Sequence, residues 1–272
     1  MLVRDTPVGM EVLMLRRNLA SSWLGGVHLF PGGAVDEDDA LEAIAERSLA
    51  RSDSEASRLL ELDTGGLAYH VAAIRECFEE AGILLASRRD GGPIDFSDPA
   101  TGKRFLEHRR ALNAGEKSFP ELCGEEDLRL ETGDVHYFSH WITPEGSPRR
   151  YDTRFFVAAM PEDQSPLQDD IEVIDSVFIR PEEALERHHA GEIDMLFPTM
   201  KNLEAIARFE TTGELISASD ASTVPTILPK VVVAEYGVRI LLPGDEGYET
   251  ATGVSENVAF PDRSKRPEKA PE

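Results

Sequence analysis

Basic residues are scarce: 28 Lys and Arg stand against 51 Asp and Glu, a formal charge of −23 over 272 residues. A surface this acidic repels polyphosphate backbones and argues against a nucleic-acid binder. It still admits a small anionic substrate where a cation and local arginines invert the field. Cysteine is nearly absent too. Cys77 and Cys123 are its only occurrences, so no disulfide framework is expected and a reducing, cytoplasmic setting is the default. No apolar run approaches the ~20 residues of a membrane span, no membrane role is expected, and Met1 to Asp5 lacks the layout of a signal peptide. What remains is a hydrophobic content of 41 %, enough in a chain of this length to bury a substantial core.

The most informative stretch runs from Arg75 to Ile83 as RECFEEAGI. Glu76, Glu79 and Glu80 stand at i, i+3 and i+4, which places them on one face of a helix. Like charges so placed repel by a few tenths of a kcal/mol per pair. A bound hard cation such as Mg2+ or Mn2+ would relieve that repulsion, with waters and substrate phosphates completing its shell. Read alone, Glu-Glu is more often a solvated acidic face. Leu67, Val71, Ile74, Cys77, Phe78 and Ala81 form the apolar stripe opposite. Gly82 is placed to cap the helix in the left-handed region. Cys77 reads as a small buried hydrophobe rather than a nucleophile.

Arg75 to Ile83 matches every fixed position in the second half of the Nudix box, Gly-x5-Glu-x7-Arg-Glu-U-x-Glu-Glu-x-Gly-U with U apolar. Phe30-Pro31-Gly32-Gly33 resembles the segment that opens the box. The spacing departs from the pattern: 42 positions separate Gly33 from Arg75 where the box has fourteen, an insertion of 28. The first Glu of the box has no clear counterpart, and Asp36, Asp39 and Glu42 are all candidates. A split box of this kind resembles the branch of the Nudix superfamily that includes the coenzyme A diphosphatase of mammalian peroxisomes. His140 to Pro144, Arg149 to Phe156 and Leu241 to Tyr248 look like that branch as well, so the resemblance spans most of the chain. The C-terminal Ala-Pro-Glu is not a Ser-Lys-Leu address, and a peroxisomal location is not carried over.

The resemblance implies an α/β fold, a Nudix α/β/α sandwich with a mixed β-sheet, as one domain over 1–260. Residues 36–64 would be a helical insertion serving as a flap or partner surface, 181–248 C-terminal helices and a hairpin, and 261–272 a disordered polar tail. Strands are expected over 9–17, 27–30, 83–86, 135–142, 155–160 and 173–179. Helices are expected over 40–51, 55–62, 99–114, 181–189, 200–211 and 214–219, and a hairpin over 226–242 turning at Gly237.

In chemical terms the resemblance implies a metal-dependent pyrophosphohydrolase. Glu76, Glu79 and Glu80 would hold Mg2+ or Mn2+, and Arg75 would brace them by ion pairing. Glu79 or Glu172 would accept a proton from the attacking water. Arg150 and Arg154 are the first choice for clamping a diphosphate, since guanidinium forks bind phosphate oxygens in pairs. Arg16, Gly32 and Gly33 are further substrate-binding candidates. Arg104, Arg109 and Arg110 could reach a 3'-phosphate, or could be a solvated face. The implied substrate is a small-molecule diphosphate, coenzyme A or an acyl ester. NADH, ADP-ribose or a nucleotide sugar is the same-class alternative, and a silent nucleotide-sensing module the alternative from another class. A homodimer is left open.

Overall fold

The computed structural model describes residues 1–16, 26–147, 149–167, 175–234 and 237–251. The chain opens with β1 (Leu2–Thr6) and β2 (Gly9–Arg16), an antiparallel pair turned at Pro7 and Val8, then β3 (Val27–Leu29). A 3-10 turn, Glu37–Ala40, leads to α1 (Glu42–Ala45) and α2 (Asp53–Leu59), and then to the long helix α3 (Gly66–Ala81). There follow β4 (Ala86–Arg88), α4 (Pro99–Asn113), α5 (Phe119–Glu125), β5 (Leu128–Leu130), β6 (His136–Ile142), β7 (Asp152–Ala159) and β8 (Asp175–Ile179). The last part holds α6 (Pro181–His189), β9 (Asp194–Met195), α7 (Phe197–Ile206), α8 (Thr212–Ala221), β10 (Thr226–Ile227), β11 (Lys230–Ala234) and β12 (Gly237–Leu241).

Seven strands pair in the order β10-β6-β7-β1-β2-β3-β9, and β8 pairs with β2. The sheet is mixed: β1 with β7, β10 with β6 and β3 with β9 are parallel, the other pairs antiparallel. Alternation along β2 feeds two cores, because successive side chains leave a strand on opposite faces. Leu13 and Leu15 join the first core with Val71, Ile74 and Phe78 of α3. Val12 and Met14 join the second with Ala184 of α6, Leu203 and Ile206 of α7 and Leu215 of α8. The architecture is therefore an α/β/α sandwich around a mixed sheet, as the resemblance implies.

Several boundaries differ from the sequence reading. Residues 2–6, noted above only for lacking a leader, form a strand beside β7. Ile83, Leu84 and Leu85 enter the core as irregular chain, and only 86–88 are a strand, in a small separate sheet with β5. Thr226–Ile227 leaves the expected hairpin to extend the main sheet next to β6. The hairpin itself is β11 with β12. Residues 36–64 hold only short helices, and they are not a loose surface addition: Ile44, Ala56 and Leu60 lie in the first core. The expected tail, 261–272, and Glu172 lie outside the described residues.

Candidate active site

The axis of the site is α3, and both its ends are tied down by other segments. At the N-terminus, where four backbone N–H groups lack partners within the helix, the Asp53 carboxylate accepts from the amides of Leu67 at 3.0 Å and Gly65 at 3.1 Å. Those two backbone bonds hold the Asp53 carboxyl below the usual carboxylate range. Ser57 Oγ accepts from Gly66 N at 2.9 Å, and a Cβ on Gly66 would lie 2.3 Å from the backbone N of Ser57. Only glycine allows α2 to come this close. At the other end Gly82 takes φ +67° and donates to Phe78 O at 2.9 Å, the glycine cap expected from the sequence.

Arg75 is 5 % exposed, and each of its guanidinium nitrogens is engaged. Nε and Nη2 donate to Oδ1 and Oδ2 of Asp39, both at 2.9 Å. Nη1 donates to Glu76 Oε1 at 2.9 Å and Glu79 Oε2 at 3.1 Å, and Nη2 also to Ala34 O at 2.8 Å. Burial opposes the charge, but Asp39 and the two glutamates outweigh it and raise the Arg75 pKa. Glu76 and Glu79 titrate above their ordinary range, because burial outweighs the nearby guanidinium. Among Asp36, Asp39 and Glu42 the structure singles out Asp39 as the partner of Arg75. Asp36 is 63 % exposed and 3.5 Å away, and Glu42 is exposed.

The Pro-Gly-Gly turn faces the same helix. Gly32 N donates to Glu80 Oε2 at 2.8 Å. A Cβ on Gly33 would lie 2.4 Å from Glu76 Oε1, so the bare glycine makes the space in which that carboxylate sits. The three glutamates thus line one patch between α3 and residues 32–33, with Glu76 and Glu79 turned to Arg75 and Glu80 to the Gly32 amide. Among the described residues no three His, Cys, Asp or Glu side chains converge as a metal cage. The donor set, carboxylate oxygens beside a glycine cradle, nevertheless suits a hard divalent cation.

Other candidates lie elsewhere. Arg154 pairs with Asp152 at 2.9 Å and lies over the Tyr69 ring at 4.9 Å, about two turns of α3 before Glu76. Arg150 is exposed and donates to Thr143 O at 3.1 Å. Arg16 shares a strand face with Val12 and Met14, on the side of the sheet away from α3. Arg104 is paired to Glu126 at 2.7 Å. Arg109 is a clear correction: it is 1 % exposed and cannot belong to a solvated or ligand-reading face. Positions 105, 108, 109 and 112 are consecutive members of one helical stripe, a signal its charge had masked. Beside Arg75 and Glu79 the surface opens into a cleft of about 380 Å³ that also takes in Lys117 and Phe119, neither of which carries a sequence motif.

The profile of the NUDT19 Nudix domain matches residues 45–206, more than half of the chain. The chain belongs to this Nudix family. The acyl-coenzyme A diphosphatase NUDT19 of Gallus gallus is 30% identical over 280 residues, which cover 89% of this chain and 74% of that one. Its namesake in Homo sapiens is 26% identical over 282 residues, covering 92% and 75%. A crystal structure of a Nudix hydrolase from Alicyclobacillus acidocaldarius superposes with a TM-score of 0.62 at 26% identity, covering 82% of this chain and 95% of that one. The protein is accordingly a Nudix pyrophosphohydrolase, and α3 with Gly32 and Gly33 is its split Nudix box. Among the described residues no helix is long and apolar enough to cross a membrane.

Proposed function

We propose that this Nudix hydrolase cleaves the diphosphate of coenzyme A or an acyl-coenzyme A, releasing 3',5'-ADP and (acyl-)phosphopantetheine. The observation that carries the chemistry is the Arg75 network, which gathers Glu76 and Glu79 on one guanidinium opposite Gly33. The names of the Gallus gallus and Homo sapiens relatives support the substrate.

Glu76, Glu79 and Glu80 would hold Mg2+ or Mn2+. Such a cation, when bound, offsets the charge of the diphosphate oxygens and acidifies water. Glu79, held 3.1 Å from Arg75 Nη1 at the edge of the cleft, accepts the proton of the attacking water. Arg75 orients Glu79 and Glu76 without touching substrate, since its donors are already engaged. The cleft beside Glu79 receives part of the substrate, with Lys117 at its wall. Arg154, over the ring of Tyr69 on α3, is the clamp retained here. We place this activity in the cytoplasm, which suits two buried free cysteines.

The test is turnover with Mg2+ or Mn2+ against coenzyme A, acetyl-coenzyme A, NADH, ADP-ribose and nucleoside triphosphates, with products identified by mass. Release of 3',5'-ADP from the coenzyme A esters is expected. Cleavage of NADH or ADP-ribose with no coenzyme A turnover overturns the substrate assignment.

A further inference from the structure

The C-terminal end of α3 is buried, with Ala81, Ile83 and Leu84 each under 5 % exposed. Its last carbonyls have no partner within the helix, and water does not reach them readily. Phe78 O is met by Gly82 N. The carbonyls of Glu79 and Glu80 are met by one side chain from another helix: Arg109 Nε donates to Glu79 O at 2.9 Å, and Nη2 to Glu80 O at 3.0 Å. Its Nη1 donates to Leu167 O at 2.8 Å. Asn113, one turn further along α4, adds a bond from Nδ2 to Glu79 O at 3.2 Å. Leu167 is packed on the cap itself, since a Cβ on Gly82 would lie 2.6 Å from Leu167 O and 2.7 Å from Leu167 N.

From this geometry we infer that Arg109 is a positioning residue for the hydrolytic centre. It fixes the backbone of the two residues whose carboxylates face Arg75 and the Gly32 amide. A cation at a helix C-terminus is favoured by the helix dipole. Arg109 does more than cap. Its planar fork grips consecutive carbonyls of α3 and a third carbonyl, Leu167 O, on a separate segment, which holds the last turn against unwinding or sliding along α4. Glu79 and Glu80 each carry their side chain on a peptide unit held in this way. A shift of the turn would move both carboxylates against Gly32 and Gly33, which stand on a different segment. The fully buried charge is itself costly unless hydrogen-bonded, so a folded chain keeps it only with these carbonyls in reach.

The inference rests on the proposed function for the metal site and for its activity readout. The test uses the full chain with Arg109→Gln, Arg109→Lys and, as a milder change at the same carbonyl, Asn113→Leu. Metal-free protein is titrated with Mn2+ alone by electron paramagnetic resonance, and kcat and KM are measured on whichever diphosphate the wild type cleaves. In Arg109→Gln we expect kcat to fall about 100-fold and Mn2+ to bind about 10-fold more weakly, with KM within about 3-fold, the size of effect that a shift of about 1 Å at a reacting group produces. Asn113→Leu should show a smaller loss in the same direction, and millimolar guanidinium should restore part of the activity of Arg109→Gln but none of that lost in Asn113→Leu. A lower melting temperature with kcat and Mn2+ affinity unchanged in the folded variants means a structural cap only and overturns the inference. If Arg109→Gln does not fold, the same readouts on Arg109→Lys and Asn113→Leu decide. A wild type that binds Mn2+ but cleaves nothing in the panel sinks the proposed function and leaves the Mn2+ comparison to judge Arg109. A wild type that binds no free Mn2+ but cleaves a diphosphate with Mg2+ leaves kcat and KM to judge Arg109, and kcat unchanged in the folded variants then overturns the inference.

Discussion

Asp39 presents both carboxylate oxygens to Arg75, each at 2.9 Å, across 36 positions of sequence. Their side chains are 1 % and 6 % exposed. Removing one partner of a buried pair strands the other charge, so Asp39→Ala is expected to cost about 3 to 5 kcal/mol. Asp36→Asn, at an exposed neighbour, is expected to cost under about 1 kcal/mol. Urea unfolding of both variants checks this, and equal costs would contradict the pairing.

Glu79→Gln and Glu80→Gln keep the shape of α3 but remove charge that a cation or a proton needs. Each is expected to lose turnover by at least about 100-fold while retaining the wild-type circular dichroism spectrum. Full activity in either would remove that glutamate from the site.

Gly33→Ala drives a methyl group into the Glu76 carboxylate, 2.4 Å away. The variant is expected to fold, since the turn is at the surface, and to bind Mn2+ more weakly than the wild type. Gly213→Ala meets open space in α8 and should leave metal binding alone, with up to about 1 kcal/mol of added stability. Titration of the two proteins side by side separates a local clash from a general effect of adding a methyl group.

His70 is fully buried against Phe156, and burial pulls its pKa down to about 4. The unfolded chain, titrating near the ordinary value of 6.5, binds more protons between those two values, so stability rises with pH across them. The contribution is fully present above about pH 6.5 and lost as pH falls toward 4, about 3 kcal/mol in total. His70→Leu should lose this slope. The quantity to measure is the stability difference between wild type and variant at about pH 7.5 and about pH 4.5; a difference that stays constant would refute it.

The local periodicities legible in the sequence became real elements. The apolar stripe from Leu67 to Ala81 is the face that α3 buries, and Gly82 caps it. The strands near 9–16, 136–142 and 152–159 and the helices beginning at Pro99 and Pro181 also stand within a few residues of their expected places. These features depend on neighbours within about a turn or on strand alternation, so sequence by itself determined them. It also determined the Nudix assignment, through residues whose spacing is local to one helix and one turn.

Tertiary structure decided which distant groups meet. Asp36, Asp39 and Glu42 are equivalent as letters, and only the turn at 37–40 selects the one that reaches Arg75. Arg109 has the composition of a surface residue and a position on the buried stripe of α4; its burial became readable only once the carbonyls of Glu79, Glu80 and Leu167 were seen around it. Residues 36–64 read as an addition to the box, yet Asp39 holds Arg75 and Asp53 and Ser57 hold the first turn of α3. The physical reason is common to all three: a hydrogen bond or ion pair acts over about 3 Å, and sequence spacing does not say which residues 9 to 58 positions apart come within that distance.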